Sequence, residues 1–325
     1  MSSPILSTRN LTHVYSAGTP FEKMAIRDIS LDFYPSEFVG LIGHTGSGKS
    51  TFVQHLNGLL KPTSGAVLFN GEALSSSKKV LRQSRFQVGL VFQYPEYQLF
   101  EETVFQDIAF GPKNMKLSGD EVAERVREAA RFVGVPEEIF EKSPLELSGG
   151  QKRRVAIAGV IAMRPQVLAL DEPTAGLDPE GRESILRNLL DYHDSTGAAV
   201  LLITHDMEEI ARIASRLVVF REGEVAFDGA PKEVFRHGRE LVDMGLELPG
   251  AAHIALRLRE LGAALPEGIY TLEALADAIC GVQGHSLGQR EGALECGGTP
   301  PVSARTALPA PSEREPKWRG GCGSC

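Results

Sequence analysis

Cysteine is scarce in this 325-residue chain: there are four, three of them within the last thirty residues. That number and placement exclude the disulfide framework of a small secreted domain. Long apolar runs are missing too. Crossing a bilayer takes roughly 18 apolar residues, and the longest run, Val155 to Met163, is half that and contains Gly159. There is no basic excess, since Lys+Arg 34 against Asp+Glu 42 leave a net charge of -8. This argues against a nucleic-acid binder working through a basic face. The first residues hold no basic, then apolar, then small-residue leader, which predicts a cytosolic protein, free to dock on a membrane protein. No internal repeat is visible. With 42% hydrophobic and 23% charged residues, the chain has enough apolar content for a sizeable core. Its length suits one large α/β unit plus an appendage.

The strongest local signal is Gly43-His44-Thr45-Gly46-Ser47-Gly48-Lys49-Ser50-Thr51. It follows an apolar run ending Phe38-Val39-Gly40-Leu41-Ile42 and leads into the helix-like Phe52-Val53-Gln54-His55-Leu56. Strand, glycine-rich loop and helix, in that order, make a phosphate-binding P-loop. Glycines let successive N–H groups turn inward as an anion nest. The helix N-terminus adds partial positive charge, Lys49 a full one, and the Ser50 hydroxyl is suited to hold Mg²⁺.

Along the chain, residues 4–36 and 66–69 alternate at period two, with a turn signal at Asn70-Gly71, and predict a small antiparallel sheet. From about 99 to 165 the pattern is helical, with Val122, Val126, Ala129 and Ala130 on one face of a helix and a second helix from Gly149 or Gly150 to Met163. Gln166–Leu170, Ala199–Ile203 and Leu217–Phe220 are unbroken apolar runs separated by the amphipathic stretches Arg182–Tyr192 and Met207–Ile213. Runs of this kind suit parallel strands buried on both faces. Two helices are expected at Ala251–Leu261 and Thr271–Ala278, and residues 281–325 are expected to be disordered, since glycine, proline, serine and charge dominate there.

Two further motifs carry chemistry. Val167-Leu168-Ala169-Leu170-Asp171-Glu172 is an apolar strand ending in two carboxylates. Such a strand end faces the ligand crevice of a parallel sheet. There Asp171 can hold Mg²⁺ through water and Glu172 can orient or deprotonate an attacking water. Leu147-Ser148-Gly149-Gly150-Gln151 opens a helix with exposed N–H groups and a hydroxyl, either a second anion site or an ordinary capped glycine turn. A single chain has no evident need of two such sites unless a second subunit's nucleotide fills one.

Together with Gln93, Ala175-Gly176-Leu177-Asp178 and Thr204-His205-Asp206, these motifs resemble the nucleotide-binding subunit of an ATP-binding-cassette transporter over residues 1–240. Gly18-Thr19-Pro20-Phe21-Glu22, His55–Leu60, Gln93–Phe100 and Phe110–Asn114 are similar to the ATPases of energy-coupling factor transporters, which take up vitamins and metal ions, and to the second of their two paired ATPases. The resemblance implies a P-loop core with a parallel sheet, an antiparallel β subdomain, a helical signature subdomain at about 95–165, and a helical dimer-contact appendage at 241–280.

It further implies ATP and Mg²⁺ as ligands, a second ATPase subunit of the same or a different kind, and a place on the cytoplasmic face of the membrane. Partners there would be a transmembrane coupling subunit and a substrate-binding membrane subunit, with no nucleic acid. Tyr15 would stack on adenine, with a loop surface aromatic as the plain alternative. Glu172 would be the general base, His205 would position the γ-phosphate or water, and Gln93 would sense Mg²⁺ and water. Ser148, Gly149, Gly150 and Gln151 would cap the partner's γ-phosphate, and Asp178 would reach across the interface. Tyr94–Phe105 would either receive a coupling helix or pack a helical subdomain. An exporter ATPase is the alternative, and a cassette acting on DNA or ribosomes is disfavoured by the acidic charge. The tail ending Cys322-Gly323-Ser324-Cys325 departs from the family; reduced and disordered, or metal-capturing, are its two readings.

Overall fold

The computed structural model describes residues 3–287. In chain order it opens with β1 (Leu6–Tyr15), β2 (Lys23–Ile29), β3 (Asp32–Phe33) and β4 (Phe38–Ile42), followed by α1 (Lys49–Leu56). Next come β5 (Ser64–Phe69), β6 (Glu72–Ala73), α2 (Lys78–Gln87) and β7 (Val88–Val91). A helical stretch follows with α3 (Val104–Asn114), α4 (Gly119–Phe132) and α5 (Gly149–Ile161). The chain returns through β8 (Val167–Asp171), α6 (Pro179–Thr196), β9 (Ala199–Ile203), α7 (Met207–Ile213), β10 (Arg216–Arg221) and β11 (Glu224–Gly229). It continues with α8 (Pro231–Val234), α9 (Gly238–Asp243), α10 (Gly250–Glu260) and α11 (Leu272–Leu287).

Two sheets result. β2-β1-β5-β6, with β3 also on β1, is antiparallel; the larger sheet has the order β11-β10-β4-β9-β8-β7. Its strands from β10 to β7 pair in parallel, and only the edge pair β10–β11 is antiparallel. The apolar runs behave as buried parallel strands do: every residue of β4, β8 and β9 is buried. Alternate side chains feed opposite faces. Leu168, Leu170, Val200 and Leu202 join a core with α3 to α6, while Val167, Ala169, Ala199 and Leu201 join one with α1, β1 and β5.

The stretch read as helical from about 99 to 165 holds α3, α4 and α5. Val122, Val126, Ala129 and Ala130 are the buried face of α4, which is opened by a Ser118–Glu121 capping box. β1 is longer than the alternation suggested, because an extra residue between Arg9 and Thr12 in its pairing with β5 breaks period two. The stretch 26–33 is not one strand: a break at Ser30-Leu31 separates β2 from β3. α5 ends at Ile161, short of Met163.

α10 forms at the expected place. The stretch expected to be disordered from residue 281 is corrected at its start, since α11 carries helix through Leu287. The remainder of that tail, with Cys296 and the Cys322/Cys325 pair, lies outside the described residues. Among the described residues no helix is long and apolar enough to cross a membrane.

Candidate active site

Parallel register places four strand ends side by side. β4 lies between β10 and β9, Leu41 is level with Ile203, Asp171 is level with Ile203 from the other side, and Val91 is level with Leu170. The loops leaving these strands carry Gly43–Gly48, Gln93, Asp171-Glu172 and Thr204-His205. They open on one cleft of about 790 Å³ that also takes Tyr15 from the end of β1.

The loop before α1 depends on glycine at two points. Gly48 has φ 104, and a Cβ there would lie 2.6 Å from Ala25 O; at Gly43 it would lie 2.5 Å from Phe220 O. Lys49 Nζ donates to Gly43 O at 2.6 Å and His44 O at 3.0 Å, with Ser47 Oγ at 3.4 Å, so the ammonium folds over the loop. Burial lowers its pKa, opposed by the nearby carboxylates of Asp171 and Glu172. Asp171 is buried at the end of β8; desolvation raises its pKa, opposed by a hydrogen bond with the Ser50 side chain and by Lys49.

Glu172 adopts φ 48, a left-handed conformation that is uncommon outside glycine. Its N–H donates to Ile203 O at 3.0 Å. The carboxylate is bracketed: Gln93 Nε2 donates to Oε2 at 3.1 Å, and His205 Nδ1 lies 3.6 Å from Oε1. Behind His205, Asp206 caps α7 and is held by Arg182 at 2.9 Å. Tyr15 Oη lies 3.2 Å from Thr51 Oγ1.

Of the expected residues, Tyr15, Gly43–Gly46, Gly48–Thr51, Gln93, Asp171, Glu172 and His205 line this cleft, while Ser47 sits buried beneath it. Ser148, Gly149, Gly150, Gln151 and Asp178 do not. Ser148 caps α5, accepting from Gln151 N at 3.3 Å, while Gln151 Oε1 accepts from Ser148 N at 2.9 Å. A Cβ on Gly149 or Gly150 would meet nothing within 4 Å, so the approach to this helix start is open. Asp178 caps α6 through Gly181 N at 3.2 Å.

Three features escaped the sequence reading. Lys23 and the stretch 245–247 also line the cleft. Arg153, one turn past Ser148, is buried and bidentate to Glu96 (3.1 and 2.9 Å), and also donates to Pro173 O at 3.3 Å and to Ala175 O. It therefore joins α5 to the segments that follow Gln93 and Glu172. The run Lys152-Arg153-Arg154 looks like surface charge, and no signal in it marks the buried member.

A P-loop at the head of a parallel sheet, facing an Asp-Glu pair, a glutamine and a histidine, defines a nucleoside-triphosphatase of the cassette type. The family described as ABC transporter matches residues 26–175. The chain is 51% identical over 274 residues to the "Energy-coupling factor transporter ATP-binding protein EcfA2" of Caldanaerobacter subterraneus, covering 84% of this chain and 96% of that one. It is 50% identical over 269 residues to the protein of the same name from Clostridium tetani, covering 82% and 93%. Among solved structures, cbiO1 from Clostridium perfringens, part of the ABC transporter complex cbiONQ, superposes with TM-score 0.66 at 40% identity over 78% of this chain and 99% of that one. A dimeric ATP-binding cassette in a post-hydrolysis state bound to ADP and Pi does so with TM-score 0.62 at 28% identity, over 69% and 98%. The chain belongs to the ABC transporter ATPases and, within them, to the energy-coupling factor transporter ATP-binding proteins; it is an ATP-hydrolysing transporter subunit.

Proposed function

We propose that this ATPase works as one of a head-to-tail pair, each cleft being completed by the partner's α5 start. The observation that carries the reading is the separation of two anion-binding helix starts: Lys49–Thr51 lie in the cleft, whereas Ser148–Gln151 sit outside it with an open approach. Gly43–Thr51 hold the phosphates, and Tyr15 stacks on adenine. Ser148, Gly149, Gly150 and Gln151 of one subunit meet the other's γ-phosphate, with Asp178 reaching across beside them. Each charge-assisted hydrogen bond is worth about 1.5–3 kcal/mol. Several of them, present only while ATP bridges the subunits, give closure on the order of 5 kcal/mol per site before entropy costs. Hydrolysis removes those contacts and reopens the pair, which converts phosphate chemistry into movement.

Within the cleft Glu172 is the general base. Gln93 and His205 hold it from either side, and the Gln93 amide oxygen remains free to face water. The Ser50 hydroxyl, the Asp171 carboxylate it bonds and the Gln93 amide form an all-oxygen donor set that suits Mg²⁺. When bound there, the ion neutralises charge on the β- and γ-phosphates. His205 positions the γ-phosphate or the attacking water.

The movement serves uptake of a vitamin or metal ion through a transmembrane coupling subunit and a substrate-binding membrane subunit, with this chain held peripherally on the cytoplasmic face. Exposed Tyr94, Tyr97, Phe100 and Phe110 support a docking groove for such a partner. α10 and α11, with exposed Ile254, Leu261 and Leu272, support a further contact between the paired ATPases. Glu172→Gln tests the reading: it should bind ATP, hydrolyse it at least about a hundredfold more slowly, and accumulate as a closed pair in size-exclusion chromatography. Normal turnover in that variant rules out Glu172 as the base.

A further inference from the structure

Four residues, with one main-chain carbonyl among their contacts, close a ring beside the mouth of the cleft. Tyr15 Oη is 3.2 Å from Thr51 Oγ1, and Thr51 O is 2.7 Å from His55 Nδ1. His55 Nε2 is 3.1 Å from His13 Nδ1, and the His13 ring stands edge-on to the Tyr15 ring with centroids 4.5 Å apart. Thr51 and His55 are one turn apart on α1, and His13 and Tyr15 are two residues apart on β1, so each pair shares a face of its element. The ring ties the end of a strand to the phosphate-binding helix. Both irregularities in the pairing of β1 with β2 flank His13, and the extra residue lies on β2 each time, so β1 itself stays regular there and keeps His13 and Tyr15 on one face.

The protons in this ring are determined by its acceptors. A carbonyl can only accept, so His55 Nδ1–H donates to Thr51 O. His55 is 0% exposed, and burial lowers its pKa against the opposing hydrogen bonds to the Thr51 and Lys61 carbonyls, which favours the neutral ring with Nε2 as the acceptor. His13 Nδ1 then carries a proton shared between His55 Nε2 and Lys61 O, which is also 3.1 Å away. Each bond agrees with the others, and the chain runs from His13 through His55 into α1. Phosphate chemistry alone does not call for a buried neutral imidazole beneath this helix, and an apolar side chain would fill the space at lower desolvation cost.

We propose that His13 and His55 are positioning residues for the nucleotide base: they fix the tilt of the Tyr15 ring against α1, so that base and phosphates are gripped in one register. This rests on the reading that Tyr15 stacks on adenine. The two histidines act at the base end of the nucleotide and leave the triphosphate end alone. Neither is a catalytic residue, because neither touches the reacting atoms.

The test compares ATP with inorganic tripolyphosphate, which has the phosphates and no base, by equilibrium binding to the full chain, together with kcat and KM for ATP. His13→Phe keeps an aromatic edge against Tyr15 without the donor; His13→Asn keeps a donor near the Nδ1 position without the ring. Each should weaken ATP about fivefold and raise KM by a similar factor, with kcat and tripolyphosphate affinity unchanged. Tyr15→Ala should weaken ATP at least about tenfold, again sparing tripolyphosphate. His55→Leu risks misfolding, so the partly exposed His13 carries the test, and tripolyphosphate affinity reports an intact P-loop. Equal loss of tripolyphosphate binding in the His13 variants would mean that the ring merely supports α1, and overturns the proposal. A strong effect of Tyr15→Ala with none from either His13 variant also overturns it, while leaving the stacking reading standing. No effect of Tyr15→Ala removes the stacking reading, and this proposal falls with it.

Discussion

Replacing Arg153 with methionine exposes how α5 is joined to the catalytic loops. Its side chain is 4% exposed and that of Glu96 17%. The guanidinium spends Nε and Nη2 on Glu96 and Nη1 on the carbonyls of Pro173 and Ala175. Methionine keeps much of the stem volume but leaves a largely buried carboxylate without its counter-charge and two carbonyls without a donor. Breaking a buried pair from one side costs about 3–5 kcal/mol, and the residual water at Glu96 puts this case at the lower end, about 3 kcal/mol. Glu96→Gln leaves a buried guanidinium that still has an amide oxygen and two carbonyls, so it costs about 1.5 kcal/mol. The double variant buries no unpaired charge and should cost about 2 kcal/mol, less than Arg153→Met alone. The expected coupling is therefore about 2.5 kcal/mol. Urea unfolding of the four proteins at constant m measures it. Additivity within about 0.5 kcal/mol would refute the argument. A second readout concerns turnover. Pro173 and Ala175 lie one and three residues after Glu172, so the double variant should regain stability yet keep a lowered kcat with little change in KM.

Three other outcomes are expected. Gly48→Ala forces a Cβ to 2.6 Å from Ala25 O at φ 104; it should cost about 1–3 kcal/mol and weaken ATP at least about tenfold in equilibrium binding, and unchanged affinity would contradict the loop geometry. Ser118→Ala removes an exposed capping box at α4 and should lower unfolding stability by about 1 kcal/mol without altering ATP affinity. Asp171 has its pKa raised by burial, so the folded state binds its proton more tightly than the unfolded chain; this contribution favours folding below the ordinary value of 3.8 and is lost as pH rises through the folded pKa. Asp171→Asn should therefore gain stability over the native protein as pH is raised from about 4 to 7 while losing Mg²⁺-dependent turnover; a gain that shrinks with rising pH would show the sign to be wrong.

The parallel sheet was legible because its strands are buried on both faces and so carry unbroken aliphatic runs, as at Val167–Leu170 and Ala199–Ile203. The cleft was legible because its residues sit at strand ends, where sequence position fixes spatial position. β7 gave little signal: it has four residues and begins at Val88, directly after α2 ends at Gln87, so no turn residue marks the boundary between them. β11 is an edge strand with mixed exposure, and such strands have neither the unbroken run nor the clean alternation. Arg153 and His55 were invisible for one reason. Each is a polar residue whose burial is decided by segments distant in the chain, Glu96 and Pro173 in one case and His13 in the other. Local periodicity holds no record of such partners.

These two buried polar residues lie on the two helices whose starts we propose to bind anions, and each links its helix to a loop or strand beside the cleft or the second of those starts. His55 links α1 to His13 and through it to Tyr15; Arg153 links α5 to the segments after Gln93 and Glu172. Apolar packing would hold these helices against the sheet equally well, but it is non-directional and sets position more loosely than hydrogen bonds do. A bidentate guanidinium or a histidine with both nitrogens engaged fixes orientation as well as distance. Glu172, held at φ 48 between Gln93 and His205, needs that precision most, because a strained residue keeps its conformation only while its surroundings over-determine it. The buried polar contacts thus sit where orientation, rather than stability alone, is required of the fold.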